Sequence, residues 1–560
     1  MSTAESFGAR PNRLAKHFAE RLGVLGDETR PELLELVASC LEAVREGHVA
    51  LPLPGGAGAL DHAEILQSPL VGRPGTRCPL ILDGRHLYLH RYHDHELALA
   101  RGLRERASQP IAIDNDALEV CLERMFGADR SEGSEGQRHA AKLAATRRLS
   151  VITGGPGTGK TTVVARLLGT LALLSERPLG IRLLAPTGKA AQRIGASVLE
   201  QLEQLDLPAE ARDMLPTRAE TIHRALGSVR GSRTRFRHDA ERPFPDDLIV
   251  VDEASMIDLA MMRRLVEAVP KHARLVLLGD PHQLASVDAG AALTAICAPQ
   301  ETNSPIASCL AHLNHSYRFA DGGGIGQLAQ AIQRGDVAAG FHALETAPEL
   351  SWHATLEHTN ALNAVLTQPL NEAFASILST DDPTASLAGL GAFKILCTQH
   401  QGPFGVAALN QWCETRLAQA GIIQPGERFF DGQPIMIQTN DYAARLFNGD
   451  QGITRRTSEG LRVLFDGEGG PRSVPTSRLR GHSTAYAMTI HKSQGSEYHT
   501  VAVFLPNAPH PMLTRELLYT AATRAREKLM VFGTRAAIQT AITTPTERMG
   551  GLARRIWETP

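Results

Sequence analysis

The stretch Leu149-Ser150-Val151-Ile152-Thr153-Gly154-Gly155-Pro156-Gly157-Thr158-Gly159-Lys160-Thr161 decides how this chain folds. A mostly apolar run of strand length, 149–153, leads into the pattern GxxxxGK[ST], and a helix is expected from near Thr161. Glycine at 154, 155, 157 and 159 lets successive backbone N–H groups turn inward around phosphate oxygens. The helix N-terminus adds partial positive charge at the same place. Lys160 is then placed to reach the β- and γ-phosphates of a nucleotide, and the Thr161 hydroxyl suits Mg²⁺. The phosphate cradle is read as Gly154, Gly155, Pro156, Gly157, Thr158, Gly159, Lys160, Thr161 and Thr162.

Outward from this loop, apolar runs at 149–153, 181–185, 248–251 and 275–278 alternate with helical segments. Short continuous apolar strands separated by helices indicate a parallel sheet covered on both faces. The cluster Gly322-Gly323-Gly324 marks a boundary, and 378–391 reads as loop. Further buried strands at 393–398, 499–505 and 528–532 predict a second α/β sheet. Between them lie short strands at 433–438, 451–455 and 461–465, broken by Asn448-Gly449-Asp450 and Ser458-Glu459-Gly460. Close strand spacing with such turns predicts a small β-barrel inserted at about 427–482.

Upstream, Ser131-Glu132-Gly133-Ser134-Glu135-Gly136 reads as a flexible polar connector. Before it, Leu33, Leu34, Val37, Leu41 and Val44 share one face of a helix over 31–46, and 51–60 is loop. Strands at 79–82 and 86–92 flank the turn Asp83-Gly84, giving an α+β unit. His86, His90, His93 and His95 crowd this region. On one strand the first two would share a face and the others lie opposite, with only Cys78 nearby, so no zinc site is read.

Composition narrows the class. Apolar residues make up 43% and charged residues 21%, which excludes fibres and wholesale disorder. A length of 560 residues predicts roughly three to four domains. No apolar run approaches the roughly 18 residues of a membrane span, and the N-terminus lacks a signal-peptide core, so a cytoplasmic location is expected. Seven cysteines without a CxxC pair support neither a disulfide framework nor a cysteine zinc site. Net charge is −2, but residues 1–136 hold 15 Lys/Arg against 21 Asp/Glu, leaving the remainder net basic. The N-terminal region is therefore the poorer candidate for tracking a phosphate backbone.

Leu248-Ile249-Val250-Val251-Asp252-Glu253 supplies the second half of a nucleotide site. A strand ending in a carboxylate brings Asp252 to the sheet edge used by the phosphate loop, where it would hold Mg²⁺ through water. Glu253 follows, placed to orient or deprotonate an attacking water, which favours hydrolysis over transfer to an acceptor hydroxyl. The two motifs together imply an Mg²⁺-dependent NTPase.

Six more blocks follow in order: Ala185-Pro186-Thr187-Gly188-Lys189-Ala190-Ala191; Thr221-Ile222-His223; Leu278-Gly279-Asp280-Pro281-His282-Gln283-Leu284; Ser316-Tyr317-Arg318-Phe319; Thr489-Ile490-His491-Lys492-Ser493-Gln494-Gly495; and Tyr519-Thr520-Ala521-Ala522-Thr523-Arg524-Ala525-Arg526. With the phosphate loop they resemble the motif set of superfamily 1 helicases, over about 140–530. The wording of 154–161, 185–193, 489–498 and Asn448-Gly449-Asp450, and of the N-terminal piece 79–92, resembles the RecD family, the alpha subunits of the RecBCD complex (exodeoxyribonuclease V). That resemblance covers nearly the whole chain.

It implies two RecA-like P-loop domains with ATP in the cleft between them, an inserted SH3-like β-barrel and an α+β N-terminal domain. The expected division is a subunit-docking domain at 1–110, a linker at 111–136, motor domain 1A at 137–315 with an insertion at 228–246, and motor domain 2A at 316–560 with the barrel at about 427–482. Lys160, Glu253, Gln283, Arg318 and Arg524 are expected to carry ATP hydrolysis. Gln283 would sense the γ-phosphate, and both arginines would reach it from the second domain when the cleft closes. Gln137 resembles the adenine-reading glutamine. Thr187, Lys189, Thr221, His223, Thr489 and His491 resemble residues that hold a DNA backbone, on sheet edges away from the nucleotide. The basic segment with Arg218, Arg224, Arg230, Arg233, Arg235, Arg237 and Arg242 is read equally as a duplex-junction insertion or a solvated loop.

The family also implies 5′→3′ movement on single-stranded DNA, in a heterotrimer with RecB and RecC that serves double-strand break repair. Two alternatives stand beside it: a free-standing RecD-like helicase, and a regulatory subunit whose ATPase is a conformational switch.

Overall fold

The computed structural model describes residues 11–53, 61–127, 129–215, 218–229, 235–298, 304–319, 323–354, 362–424, 426–441, 443–467 and 470–558. Two parallel sheets organise the chain. The first has six strands in the order Leu310–Leu313, Leu149–Gly154, Arg274–Gly279, Leu248–Val251, Ile181–Ala185 and Ala219–Thr221. The second has five, in the order Leu350–His353, Ala525–Phe532, Tyr498–Phe504, Phe393–Cys397 and Ala487–Thr489. Every described pairing in both is parallel. Leu149, Val151, Ile152 and all of 248–251 are buried, as expected for strands covered on both faces.

The region expected as a barrel is a five-stranded antiparallel sheet in the order Arg472–Pro475, Gly460–Phe465, Gln451–Thr457, Pro434–Ile437 and His482–Thr484. Its own small core gathers Ile435, Ile437, Leu446, Val463 and Phe465. Residues 383–388 form a helix capped by Asp382, where the sequence reads as loop. Helix Gly324–Arg334 starts inside the glycine cluster; Gly322 lies outside the described residues.

The N-terminal unit is a four-stranded sheet in the order Ala50–Pro52, His86–Leu89, Leu80–Asp83 and Val71–Gly72, covered by helices Arg13–Gly26 and Pro31–Arg45. The expected second strand is shorter than 86–92, because helix His90–Ala107 begins at His90. His93 and His95 therefore leave the sheet. The buried His93 turns its ring edge to Tyr88 and its Nε2 to Asp83, and His95 Nδ1 meets the Arg263 guanidinium at 2.8 Å.

The expected connector and linker at 111–136 are a correction. Helices Asn115–Phe126 and Glu132–Thr146 occupy most of that span and pack under the phosphate-loop helix. Ser131 caps the second of them. Gly133 and Gly136 are helical; a Cβ on Gly133 would strike the Tyr317 ring and His315. Close packing, not flexibility, explains the glycine there.

Two features tie the ends of the chain to the first sheet. The buried Arg106 guanidinium donates to the carbonyls of Val269, Pro270 (3.1 Å) and Ala273 (3.4 Å), beyond the end of helix Leu259–Ala268. The C-terminal helix Leu552–Trp557 lies in the core shared by the N-terminal unit and the first sheet, with Leu552, Ile556 and Trp557 beside Ile81, Tyr88 and Leu99. Residues 547–557 therefore depart from the expected membership of the second motor domain.

Candidate active site

The phosphate loop sits where strand Leu149–Gly154 passes into helix Lys160–Leu174. Gly157 and Gly159 hold φ of 76° and 84°, a left-handed backbone that other residues adopt at a cost. The Lys160 ammonium donates to the carbonyls of Gly154 (2.6 Å) and Gly155 (2.9 Å), and burial lowers its pKa. Thr161 and Thr162 begin the helix and line the same cleft. Gln137 is buried against Gly159 and donates its Nε2 to the Thr158 carbonyl at 3.1 Å.

Strand Arg274–Gly279 separates the phosphate-loop strand from the strand that delivers Asp252. The segment Asp280–Leu284 thus lies between phosphate loop and carboxylates. Burial, then the Glu253 charge, raises the Asp252 pKa, while Arg193 and Lys160 oppose the rise. Glu253 has φ of 52° and its side chain caps no helix. A non-glycine residue in that region stores of the order of 1–3 kcal/mol of strain, which fits a functional position better than a surface cap.

Asp280 is buried and accepts from three donors: the Tyr519 hydroxyl (2.9 Å), Gln283 Nε2 (3.3 Å) and the His282 backbone N–H (3.0 Å). Because a carboxylate only accepts, the Gln283 amide must turn its amino group to Asp280. Its Oε1 is left buried without a partner. Gln283 is thus held by Asp280, not yet turned to a phosphate.

Arg318 departs from its expected position. Strand Leu310–Leu313 belongs to the first sheet, and just after it Ser316 Oγ donates to the Pro156 carbonyl (2.9 Å) and the Tyr317 N–H to that of Gly157 (2.9 Å). A Cβ on Gly157 would collide with Arg318 itself. Arg318 therefore rides on the phosphate loop, not on the second sheet. Arg524 does come from the second sheet's side: it is buried in the cleft, donating to the carbonyls of Thr520 (3.0 Å) and Ser496 (3.1 Å).

Glu497 was missed by motif reading. Its carboxylate meets Arg193 (3.0 Å) and Arg318 (2.7 Å) through Oε1, and Arg526 (2.8 Å) through Oε2. Burial raises its pKa, but the three guanidiniums overcome this and bring it to about 2. It stands inside the block 489–498, yet its partners are scattered along the chain; the only local signal is a carboxylate directly before the buried Tyr498. Tyr317, quoted but unassigned from sequence, lies at the cleft mouth near Gln137 and is 55% exposed.

The residues expected to hold DNA are brought together only in part. Thr187 Oγ1 caps helix Gly188–Glu203 and Thr221 Oγ1 caps helix Ile222–Leu226, so both hydroxyls already have local work. They leave one sheet edge, since Ala185 pairs with Thr221. Thr489 Oγ1 accepts from the Lys492 N–H at 3.4 Å, and burial lowers the His491 pKa. Arg193, on the helix that Thr187 caps, donates to the Gly495 carbonyl at 3.2 Å, joining that helix to the 489–495 block across the sheets. Lys189 lines the same large cleft as Lys160, and its charge acts on Lys394, Tyr498 and Asp450, on the side of the second sheet. His223 is exposed and turns toward the Phe236 ring. Arg230 and Arg233 lie outside the described residues.

The donor set fits a magnesium nucleotide. Lys160 faces Asp252, Glu253 and Asp280 electrostatically, and one Arg318 guanidinium nitrogen and Gln283 Oε1 are buried without partners at the cleft. A phosphate loop, an acidic strand end and a second parallel sheet across one cleft define a two-sheet P-loop NTPase, the arrangement expected of the superfamily 1 helicases whose motif blocks this chain resembles.

Two family models match the chain: an AAA domain over residues 132–355 and a UvrD-like helicase C-terminal domain over 484–532. The chain is 38% identical to RecBCD enzyme subunit RecD of Mycolicibacterium smegmatis, over 99% of either protein. It is 32% identical to RecBCD enzyme subunit RecD of Haemophilus influenzae, over 90% of this chain and 85% of that one. It is 33% identical to the ATP-dependent RecD2 DNA helicase of Deinococcus radiodurans, over 76% of this chain and 52% of that one. The chain belongs to the RecD family.

Proposed function

We propose that this chain is the 5′→3′ motor subunit of a RecBCD-type heterotrimer, pulling single-stranded DNA from duplex ends with RecB and RecC during double-strand break repair and homologous recombination. The observation that carries the reading is the pair of parallel sheets sharing one cleft, with Lys160, Asp252 and Glu253 on one side and Arg524 on the other. The near full-length similarity to a RecBCD subunit supports the choice of complex. The setting is the cytoplasm, at the nucleoid; among the described residues no helix is long and apolar enough to cross a membrane.

In this reading 137–315 is motor domain 1A, 316–560 motor domain 2A, and 427–482 its SH3-like 2B element, with 1–110 docking to a partner subunit. We move two boundaries in this reading: 316–318 go with 1A, supported by their bonds to the phosphate loop, and 552–557 go with the core that the docking unit and 1A share.

Thr161 and Asp252 would hold Mg²⁺, which would supply charge neutralisation at the phosphates. Lys160 leaves the loop carbonyls for phosphate oxygens. Glu253 takes the proton of the attacking water, and Gln283 reads the γ-phosphate once it leaves Asp280. Arg318 steadies the phosphates from the loop side. Arg524 reaches them from across the cleft, so its contact forms only as the sheets close, and closure and reopening are the stroke. Lys189, Thr187, Thr221, His223, Thr489 and His491 hold the backbone of the strand without reading bases.

The test is unwinding by the purified heterotrimer of duplexes carrying a 5′ or a 3′ single-stranded tail, with the RecB motor disabled. Unwinding from the 5′ tail that disappears in Lys160→Gln is expected. Unwinding from the 3′ tail, or an unaffected Lys160→Gln complex, would overturn the assignment.

A further inference from the structure

The segment Asp280–Leu284 belongs to the first sheet but is held by side chains of the second. Leu284 donates its N–H to Thr520 Oγ1 at 2.9 Å and accepts from Gln494 Nε2 at 2.8 Å. Asp280 Oδ2 accepts from the Tyr519 hydroxyl at 2.9 Å. That hydroxyl also faces the phosphate loop: a Cβ on Gly155 would lie 3.2 Å from it. Burial, then the Asp280 charge, keeps the Tyr519 phenol protonated far above neutral pH, so it is a permanent donor.

The same Asp280 oxygen takes Gln283 Nε2 at 3.3 Å, the longer of the two bonds. One carboxylate oxygen therefore serves a donor from each side of the cleft. With the sheets together, Tyr519 satisfies the buried charge and the Gln283 bond becomes dispensable. Parting the sheets would take the Tyr519 hydroxyl away and leave Asp280 the Gln283 amide and the His282 N–H as its protein donors. Gln494 follows the short helix His491–Ser493, so in the proposed function the Leu284 contact is one residue along the chain from the segment that would seat the strand.

We propose that Tyr519 is a positioning residue that, by taking over Asp280 as the sheets meet, releases the Gln283 amide to the nucleotide and so makes turnover answer to DNA. The inference rests on the DNA-driven ATPase reading above. Tyr519 acts through Gln283.

The experiment is steady-state ATP turnover with and without single-stranded DNA for wild type, Tyr519→Phe, Gln283→Ala and the double variant. Thr520→Val, which breaks a neighbouring cross-cleft bond without touching Asp280, is the control. Tyr519→Phe keeps the ring and should lower DNA-stimulated kcat about tenfold with KM for ATP within about twofold, the size expected for a displaced reacting group. In the Gln283→Ala background the same change should cost less than about twofold, because its route to the phosphate is already gone. Thr520→Val should have the same effect in either background. Equal effects of Tyr519→Phe in both backgrounds, unchanged DNA-stimulated turnover, or a collapse of ATP-analogue binding and melting temperature matching the loss of turnover would each overturn the proposal. A wild-type complex whose turnover ignores DNA would instead defeat the motor reading on which it rests.

Discussion

The Tyr317 backbone N–H lies 2.9 Å from the Gly157 carbonyl, which fixes the next residue, Arg318, to the phosphate loop. Arg318 and Arg524 are thus not equivalent. One moves with the nucleotide's own cradle; the other must be brought to it. The sequence separation of Arg318 from Lys160 suggests a second-domain residue, but the chain returns to the first sheet through strand Leu310–Leu313 before reaching it.

Substituting the two arginines should separate binding from turnover. Arg524→Ala should lower turnover by about 10³–10⁵ with a modest change in ATP-analogue affinity, as an arginine that acts on developing charge does. Arg318→Ala should weaken analogue affinity and turnover together, because its contact does not await closure. Analogue titration and turnover on the same preparations decide this. Parallel losses in Arg524→Ala would make it a ground-state binding residue.

Glu253 offers a cleaner test of the chemistry. Its backbone is held at φ of 52°, so Glu253→Gln keeps the geometry while removing the base. ATP should still bind and turnover should fall by about 10²–10⁴, the usual worth of a positioned general base. Normal turnover in this variant would remove Glu253 from the mechanism.

Glu497 joins three arginines drawn from the phosphate-loop side, the helix Gly188–Glu203 and the second sheet. Glu497→Gln should lower the melting temperature and loosen the cleft in the nucleotide-free protein. The pH dependence has a definite sign. A carboxyl lowered to about 2 from 4.5 contributes stability that is complete above pH 4.5 and is lost as pH falls toward 2. The difference between wild type and Glu497→Gln should be flat from neutral pH down to about 4.5 and shrink below it. Differential scanning over that range reads the outcome; a difference that grows on acidification contradicts the arginine hub.

Much of this arrangement is legible in the sequence, and the exceptions have physical causes. Strands 181–185 and 248–251 are read to the residue because apolar runs bounded by polar or turn residues leave little choice. Strand Leu310–Leu313 escapes because His312 interrupts it; the imidazole is accommodated by the Thr153 hydroxyl at 2.8 Å. The 131–136 segment has linker composition, yet its first serine is a cap and its first glycine makes room for Tyr317. The phosphate site is local in sequence and is therefore readable. The Glu497 and Asp280 clusters are formed by residues far apart in the chain, so no spacing announces them. The acidic N-terminal balance likewise hides an internal use, since Asp83 and Glu96 face arginines of the C-terminal helix.

That last contact carries a stability prediction. Arg555 donates to Glu96 Oε2 at 3.2 Å and to Asp83 Oδ2 at 2.5 Å, and Glu96 also receives the Gly551 N–H at 2.9 Å. Glu96 is almost wholly buried, and burial raises its pKa although Arg555 opposes the rise. Removing one partner of a buried ion pair leaves the other uncompensated, at a cost of about 3–5 kcal/mol. Arg555→Ala should therefore release the C-terminal helix from the N-terminal unit and lower the first denaturant transition. A carboxyl whose folded pKa lies above its unfolded value loses stability as pH rises through the interval between them. Without Arg555 that interval widens upward, so the deficit of Arg555→Ala should be smaller at pH 5 than at pH 8. Adding Glu96→Gln, which removes the stranded charge, should recover part of the loss at pH 8. Urea unfolding followed at Trp557 measures each term. A deficit independent of pH, or one that Glu96→Gln deepens, would mean that Arg555 works by packing over Tyr88 and not by holding the carboxylates.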